Sequence, residues 1–175
     1  MFADPLALEQ VMLERDAAPR SRKHEDPAVQ RALNLVNDDL NPVKLTTPQE
    51  AAGIYKRTTL HTPSENMIAF RAPSSSDPNI YVNKASEQYK RAVNKPNDKL
   101  AQLLLAASLV HEQTHDIEGS EYAPRRLEAD FLRSRRKDLN WDEQAKLDEL
   151  IMSLDSLAQP LVGTTGKTNG KAIKR

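Results

Sequence analysis

The sequence predicts one mainly helical α+β domain, in which a small antiparallel sheet accompanies several amphipathic helices. Three observations indicate this fold class. Apolar residues recur at helical spacing in several separate segments, most of them bounded by a capping residue, a glycine or a proline. Near the middle of the chain, two short runs rich in β-branched and aromatic residues predict strands. The length of 175 residues suits a single domain with loose ends.

The predicted elements follow one another along the chain. Pro27, Pro48 and Pro124 fall near the starts of predicted helices, where a missing amide hydrogen is acceptable because the first-turn amides have no intrahelical acceptor. The predicted helices span 27–40, 47–58, 86–93, 99–117, 121–138 and 142–158. The predicted strands span 67–70 and 79–83. Residues 27–160 are thus expected to form the folded domain, preceded by a mobile arm (1–26) and followed by a disordered polar tail (161–175).

The composition excludes several classes of function. The chain has 25 basic and 25 acidic side chains, so it has no net charge that would hold it on nucleic acid or on an anionic membrane. It has no cysteine, which rules out disulfides, thiolate metal sites and a cysteine nucleophile, so that any metal must be held by His and carboxylates. The longest apolar run is too short to span a bilayer and no signal peptide is evident, so a cytoplasmic location is expected.

One segment combines residues that suit metal chemistry. His111 and His115 are four residues apart, so a helix places both rings on one face in adjacent turns, where they can reach the same ion. The leucine-rich run 100–110 leads directly into this pair and is apolar nearly all round, which predicts a helix buried at the centre of the fold. Polar groups at the end of such a helix are costly to bury unless they have partners, and a metal ion would be one.

The residue between the two histidines suggests what the metal would do. Zn²⁺ accepts neutral imidazole nitrogen at roughly 2.0–2.1 Å and lowers the pKa of a bound water towards about 7. Glu112 points to one side of the histidine pair, where it can meet that water instead of joining the ligands. The pattern therefore predicts a Zn²⁺ site at His111 and His115, with Glu112 as the general base in hydrolysis.

A catalytic zinc usually has three protein ligands, and two downstream glutamates compete for the third position. Glu121 and Glu128 lie on one helical stripe, but they are about 10 Å apart along a regular helix axis and cannot both bind one ion. A chain reversal at Gly119 would return Glu121 to the metal at once, whereas Glu128 requires the second helix to cross the first over the site. Glu118 is closer in sequence but is expected to face solvent. Glu121 is favoured, with Glu128 as the alternative.

The segment from His111 to His115 resembles the active-site helix of the zincin metallopeptidases, which carries the pattern His-Glu-x-x-His. The later acidic residue makes the chain similar to the gluzincin branch, in which a Glu on a following helix is the third ligand. The stretch 119–132 also resembles small bacterial proteins of this kind, in which a glycine turn and a glutamate begin the helix after the motif. This similarity covers about residues 97–135 and favours Glu121.

Two positions depart from the gluzincin pattern. Many gluzincins have Asp or Asn four residues after the ligand glutamate, where it supports a histidine. Here Arg125 follows Glu121 at that spacing, and Leu132 follows Glu128.

The resemblance implies a zincin-like fold, with the active-site helix packed against a second helix and the small sheet. It also implies a zinc metallopeptidase that cleaves peptide or protein substrates, and a strand edge, 67–70 or 79–83, that pairs with extended substrate. One alternative is a zinc-binding structural or interaction module with little or no turnover, and another is an effector that cleaves a single protein target. Candidates for stabilising an oxyanion are His61, Tyr81, Tyr89 and Tyr122.

Overall fold

The computed structural model describes residues 23–36, 40–56, 67–72, 77–115 and 121–158. Within these ranges the helices are α1 (Pro27–Leu33), α2 (Pro48–Lys56), α3 (Glu87–Asn94), α4 (Lys99–Thr114), α5 (Tyr122–Arg135) and α6 (Trp141–Leu157). The strands are β1 (Val43–Thr46), β2 (Ala69–Arg71) and β3 (Ile80–Asn83). The predicted class, mainly helical α+β, is therefore confirmed for the described part of the chain.

The sheet differs from the predicted one. Its strand order is β1-β3-β2, with β1 parallel to β3 and β2 antiparallel to β3, so the expectation of a purely antiparallel sheet is wrong. Strand β1 was not predicted from the sequence; it pairs with β3 in a register that sets Val43 opposite Ile80. Because β3 lies between two neighbours, the proposal that residues 79–83 offer an edge to a substrate is also wrong.

Helix α4 lies at the centre of the described domain, where it contacts α1, α3, α5, β2 and β3. The prediction that this helix is buried nearly all round is confirmed. One side packs with the sheet, α1 and α3, and the opposite side packs with α5 and α6. Its buried residues are Leu100, Ala101, Gln102, Leu103, Leu105, Ala106, Ala107, Leu109 and Thr114.

Local side-chain chemistry explains where two of the helices begin. Asp98 caps α4, because its carboxylate accepts a hydrogen bond from the backbone N–H of Ala101 at 2.9 Å. Asn140 caps α6 in a reciprocal capping box with Glu143. Both caps fix the first turn of a long helix.

Two helices end earlier than predicted. Helix α1 ends at Leu33, and Leu35 and Val36 follow it with bonds that span three residues (Leu35 N–H to Ala32 O at 3.0 Å), so the pattern that extended to residue 40 ran past the helix end. Helix α5 likewise tightens after Arg135 into a short 3₁₀ turn, Arg136–Asp138.

Several predictions fall outside the described residues. They are most of the N-terminal arm (1–22), the tail (161–175), His61, Glu118 and the turn at Gly119. In the part of the chain that is described, no helix is long and apolar enough to cross a lipid bilayer.

Candidate metal centre

The two histidines lie together at the end of α4. His111 is in the last turn, His115 follows the final residue of the helix, and their Nε2 atoms are 3.1 Å apart. Neighbouring residues hold this turn in place: Thr114 Oγ1 donates to Val110 O at 2.9 Å, and Gln113 Oε1 accepts from the backbone N–H of Asn41 at 2.7 Å. The prediction that helical spacing brings both rings to one place is confirmed.

Glu121 completes a three-residue group. It lies immediately before α5, with Oε2 at 3.5 Å from Nε2 of His111 and Oε1 at 3.4 Å from Nε2 of His115. One ligand atom from each of the three residues lies within 4.8 Å of the others. Tetrahedral ligand atoms with bonds of roughly 2.0–2.1 Å are about 3.3 Å apart, close to these separations. The group of His111, His115 and Glu121 can therefore hold a metal ion.

Glu128 contacts His111 at the other ring nitrogen, Nδ1. Its Oε2 is 2.8 Å from Nδ1 of His111, on the side of the ring away from Nε2. Both side chains are largely enclosed, with exposed fractions of 16% for His111 and 15% for Glu128. The structure thus brings both competing glutamates to His111. Of the two, only Glu121 lies beside the Nε2 atoms of both histidines.

Glu112 is a partly buried carboxylate beside the histidine pair. Burial raises its pKa to about 7, although the charge on His111 and a hydrogen bond from the backbone N–H of Arg71 lower that pKa. Arg71 belongs to β2, so Glu112 lies where α4 meets the sheet. A cleft of about 260 Å³ opens here and is lined by Ile68, Ala69, Ser108, His111, Glu112 and Glu128.

The two imidazoles differ in their protonation. For His111, burial lowers the pKa, but the hydrogen bond to Glu128 and the charge of that carboxylate outweigh it, so the pKa lies above its ordinary value. For His115, burial and the charge on His111 lower the pKa. In the metal-free protein, His115 is therefore neutral over a wider pH range than His111.

Two arginines, Arg71 on β2 and Arg125 on α5, place positive charge near the metal centre. Arg125 of α5 points Nε at Oε2 of Glu121, 3.2 Å away. The charges of Arg71 and Arg125 both lower the pKa of His115, after the larger effects of burial and His111. Arg71 was missed in the sequence, because only the tertiary approach of β2 to α4 brings it to the site.

Two of the tyrosines suggested for oxyanion stabilisation have partners elsewhere. Tyr81 donates to Asp77 at 2.7 Å and Tyr89 donates to Asp26 at 2.8 Å. Tyr122 is an exposed residue whose hydroxyl accepts from Arg126 at 3.3 Å. Nothing in these contacts directs the three hydroxyls at the metal centre.

A larger cavity lies at the other end of α4. It has a volume of about 790 Å³ and is lined by residues from the ends of α1 and α5 and the start of α4, among them Arg31, Gln102 and Leu139. None of the motif residues lines it. The smaller cleft adjoins the candidate site, because His111 and Glu112, whose pKa values are both raised, line it.

No family model, curated protein or solved structure matches the chain. The fold and the site therefore define its class: a mainly helical α+β protein with a His-His-Glu group that can hold a metal ion.

Proposed function

We propose that this protein binds one Zn²⁺ through Nε2 of His111, Nε2 of His115 and a carboxylate oxygen of Glu121, and that it hydrolyses peptide bonds there. One observation carries the proposal. Three ligand atoms converge within 4.8 Å of one another, and a second carboxylate, Glu112, lines a small cleft together with His111 without belonging to the group.

The ligand set favours zinc among the common metals. Two imidazole nitrogens and one carboxylate oxygen match the donor set of known catalytic zinc sites, while Ca²⁺ and Mg²⁺ prefer oxygen ligands alone. Within the described residues the group has three members, His111, His115 and Glu121, which leaves a tetrahedral ion one further position for water.

The chain's own residues divide the chemistry between them. Bound zinc would supply Lewis acidity and a more acidic water. Glu112, placed beside the ligands, accepts the water's proton while the oxygen bonds to the substrate's carbonyl carbon. It then delivers that proton to the leaving nitrogen as the carbon–nitrogen bond breaks, so the carboxylate ends in its starting form. Peptides are the proposed substrate class because the motif resembles that of the zincins.

The zinc content of the purified protein tests the metal-binding part of the proposal. Purified wild-type protein, loaded with Zn²⁺ and desalted, should carry about one zinc per chain by elemental analysis. His111→Ala should lose the metal, whereas His24→Ala should keep it, because His24 is not a member of the group and accepts from the backbone N–H of Asp26 at 3.0 Å. A wild type that retains no zinc would overturn the proposal.

The hydrolytic step has its own test. Glu112→Gln should retain zinc but lose cleavage of a peptide library or of casein, read by mass spectrometry. Retained cleavage in this variant would exclude Glu112 as the base. Because one protein target can be cleaved when generic peptides are not, intact cell-extract proteins should be incubated with wild type and variant in parallel.

A second candidate function is a zinc-bound structural or interaction module without turnover. The observation that favours it is Arg125, which holds Oε2 of Glu121 at 3.2 Å and stands where many gluzincins have Asp or Asn. In that case the metal would stabilise the fold, and Glu112→Gln would leave the protein's activity in any functional assay unchanged.

A further inference from the structure

Glu128 contacts His111 on the nitrogen that a metal bound at Nε2 does not use. The distance from Glu128 Oε2 to His111 Nδ1 is 2.8 Å, which is a short, charge-assisted hydrogen bond. The side chains are only 16% and 15% exposed, so water competes little for either atom. This contact is stronger by its geometry than those between His111 and Glu121, the shortest of which is 3.5 Å.

The chemistry of the two partners determines where the imidazole proton lies. An ionised carboxylate can only accept a hydrogen bond, and a neutral imidazole has one N–H and one bare nitrogen. Glu128 at Nδ1 therefore selects the form with hydrogen on Nδ1, which leaves the Nε2 lone pair free. Nε2 is the atom that faces His115 and Glu121, at 3.1 Å and 3.5 Å.

The helical stripe of α5 explains why Glu128 reaches this position. Glu121, Arg125 and Glu128 follow one another at spacings of four and three residues, so they lie on one face. Arg125 cannot accept a hydrogen from an imidazole, and its guanidinium binds Glu121 instead. One turn further along, Glu128 is level with the Nδ1 side of His111.

From this geometry we infer that Glu128 is a positioning residue of the metal centre. It orients the His111 ring, fixes its tautomer with Nε2 unprotonated, and makes that nitrogen a better metal donor, without touching the metal or the substrate. The inference rests on the proposed metal site but not on hydrolysis. It also separates the roles of the two glutamates: Glu121 binds the metal ion, and Glu128 hydrogen-bonds to His111, which is itself a metal ligand.

Zinc affinity measured by competition with a chromophoric chelator tests this division of roles. Glu128→Leu should weaken zinc binding about 10- to 100-fold while one zinc per chain still binds at saturation. Glu128→Gln keeps an acceptor but loses the charge, so its loss should be smaller. Asp130→Asn is the matched control, because Asp130 is an exposed acid on the same helix that pairs with Arg133 at 2.7 Å. It should bind zinc as the wild type does.

Glu121→Gln completes the set and separates the two roles. If Glu128 were the third ligand, its loss would weaken binding more than the loss of Glu121, and this order would overturn the inference. Wild-type affinity in Glu128→Leu would overturn it too. Circular dichroism of each metal-free variant identifies any variant that has lost its fold. If Glu128→Leu does not fold, Glu128→Gln tests the inference instead, because glutamine has nearly the same shape as the native residue.

The tautomer of His111 can be measured directly, without bound metal and without an activity assay. In ¹⁵N-histidine-labelled, metal-free protein at pH 9, long-range ¹H–¹⁵N spectra should show His111 with hydrogen on Nδ1, and Glu128→Leu should shift it towards the Nε2–H form. A wild-type ring with hydrogen on Nε2 would overturn the inference. If the wild type binds no zinc, the proposed function fails, and the spectra still decide whether Glu128 controls the ring.

Discussion

Gln113 and Asn41 join the last turn of α4, which carries His111, to the chain just before β1. Gln113 Oε1 accepts a hydrogen bond from the backbone N–H of Asn41 at 2.7 Å, and Asn41 is buried. Gln113 is one of the two residues between Glu112 and His115, so this bond links the helical turn that carries the histidines to the segment that precedes β1.

Removing this acceptor should destabilise the fold. In Gln113→Leu the backbone N–H of Asn41 loses its side-chain acceptor in a buried place, and such a loss costs about 1–3 kcal/mol. Urea unfolding measures the change. Gln113→Glu keeps an acceptor oxygen at the same distance along the side chain. Its free energy of unfolding should fall by less than half as much as that of Gln113→Leu. Equal unfolding midpoints for Gln113→Leu and wild type would show that this contact does not hold the turn.

Metal binding should stabilise the folded protein. An ion that binds only the native state adds stability with concentration, about 2.7 kcal/mol when free Zn²⁺ is 100-fold above its Kd. The Tm should therefore rise with added Zn²⁺ and fall with EDTA in wild type. The same titration on His111→Ala should leave the Tm nearly constant. A Tm rise of equal size in that variant would indicate zinc binding somewhere else.

Asp98 should contribute to stability through the start of α4. Asp98→Ala removes the acceptor for the backbone N–H of Ala101 and should cost on the order of 1 kcal/mol. Asp98→Asn keeps the cap but loses the charge that pairs with Arg91, an interaction worth about 0–1 kcal/mol for partly exposed groups. The expected order of urea midpoints is wild type, then Asn, then Ala. The reverse order of the two variants would contradict the capping role.

The same residue should contribute to acid sensitivity. Burial opposes ionisation, but the bond from Ala101 and the charge of Arg91 outweigh it and hold the pKa of Asp98 below its ordinary value. A lowered pKa gives stability that is present above the unfolded pKa, roughly 3.9, and is lost as pH falls through the folded one. Acid unfolding curves should show that Asp98→Asn lacks this contribution near neutral pH and converges towards wild type below about pH 4.

The sequence predicted the parts of this molecule that depend on local pattern. The burial of α4 followed from its leucine-rich run, and the meeting of His111 and His115 followed from helical spacing. Strand β1 was missed because Val43–Thr46 has no aromatic residue, unlike the other two strands, and its parallel pairing with β3 is a tertiary event.

The third ligand position could be narrowed but not settled from the sequence. Spacing showed that Glu121 and Glu128 cannot share one ion, yet the choice between them depends on how α5 lies against α4. The role of Glu128 at Nδ1 had no sequence signal at all, because spacing does not tell which nitrogen of a ring a neighbour meets.

The partly buried carboxylate of Glu112 should make the metal-free protein less stable as pH rises. Its pKa is raised from 4.5 to about 7 in the fold, so between these values the folded state holds a proton that the unfolded chain has released. Stability linked to this group therefore falls as pH rises from about 4.5 to about 7 and is constant above, by on the order of 3 kcal/mol.

Glu112→Gln should remove this dependence, because an amide does not ionise. In EDTA, the variant should gain stability relative to wild type as pH rises from 5 to 7.5, read from urea unfolding at each pH. Glu149→Gln, at an exposed position on α6, controls for the loss of one negative charge. A difference between Glu112→Gln and wild type that stays constant across this range would contradict the burial of the carboxylate. A rising difference would show that the fold raises the pKa of Glu112 and loses stability when this carboxylate ionises.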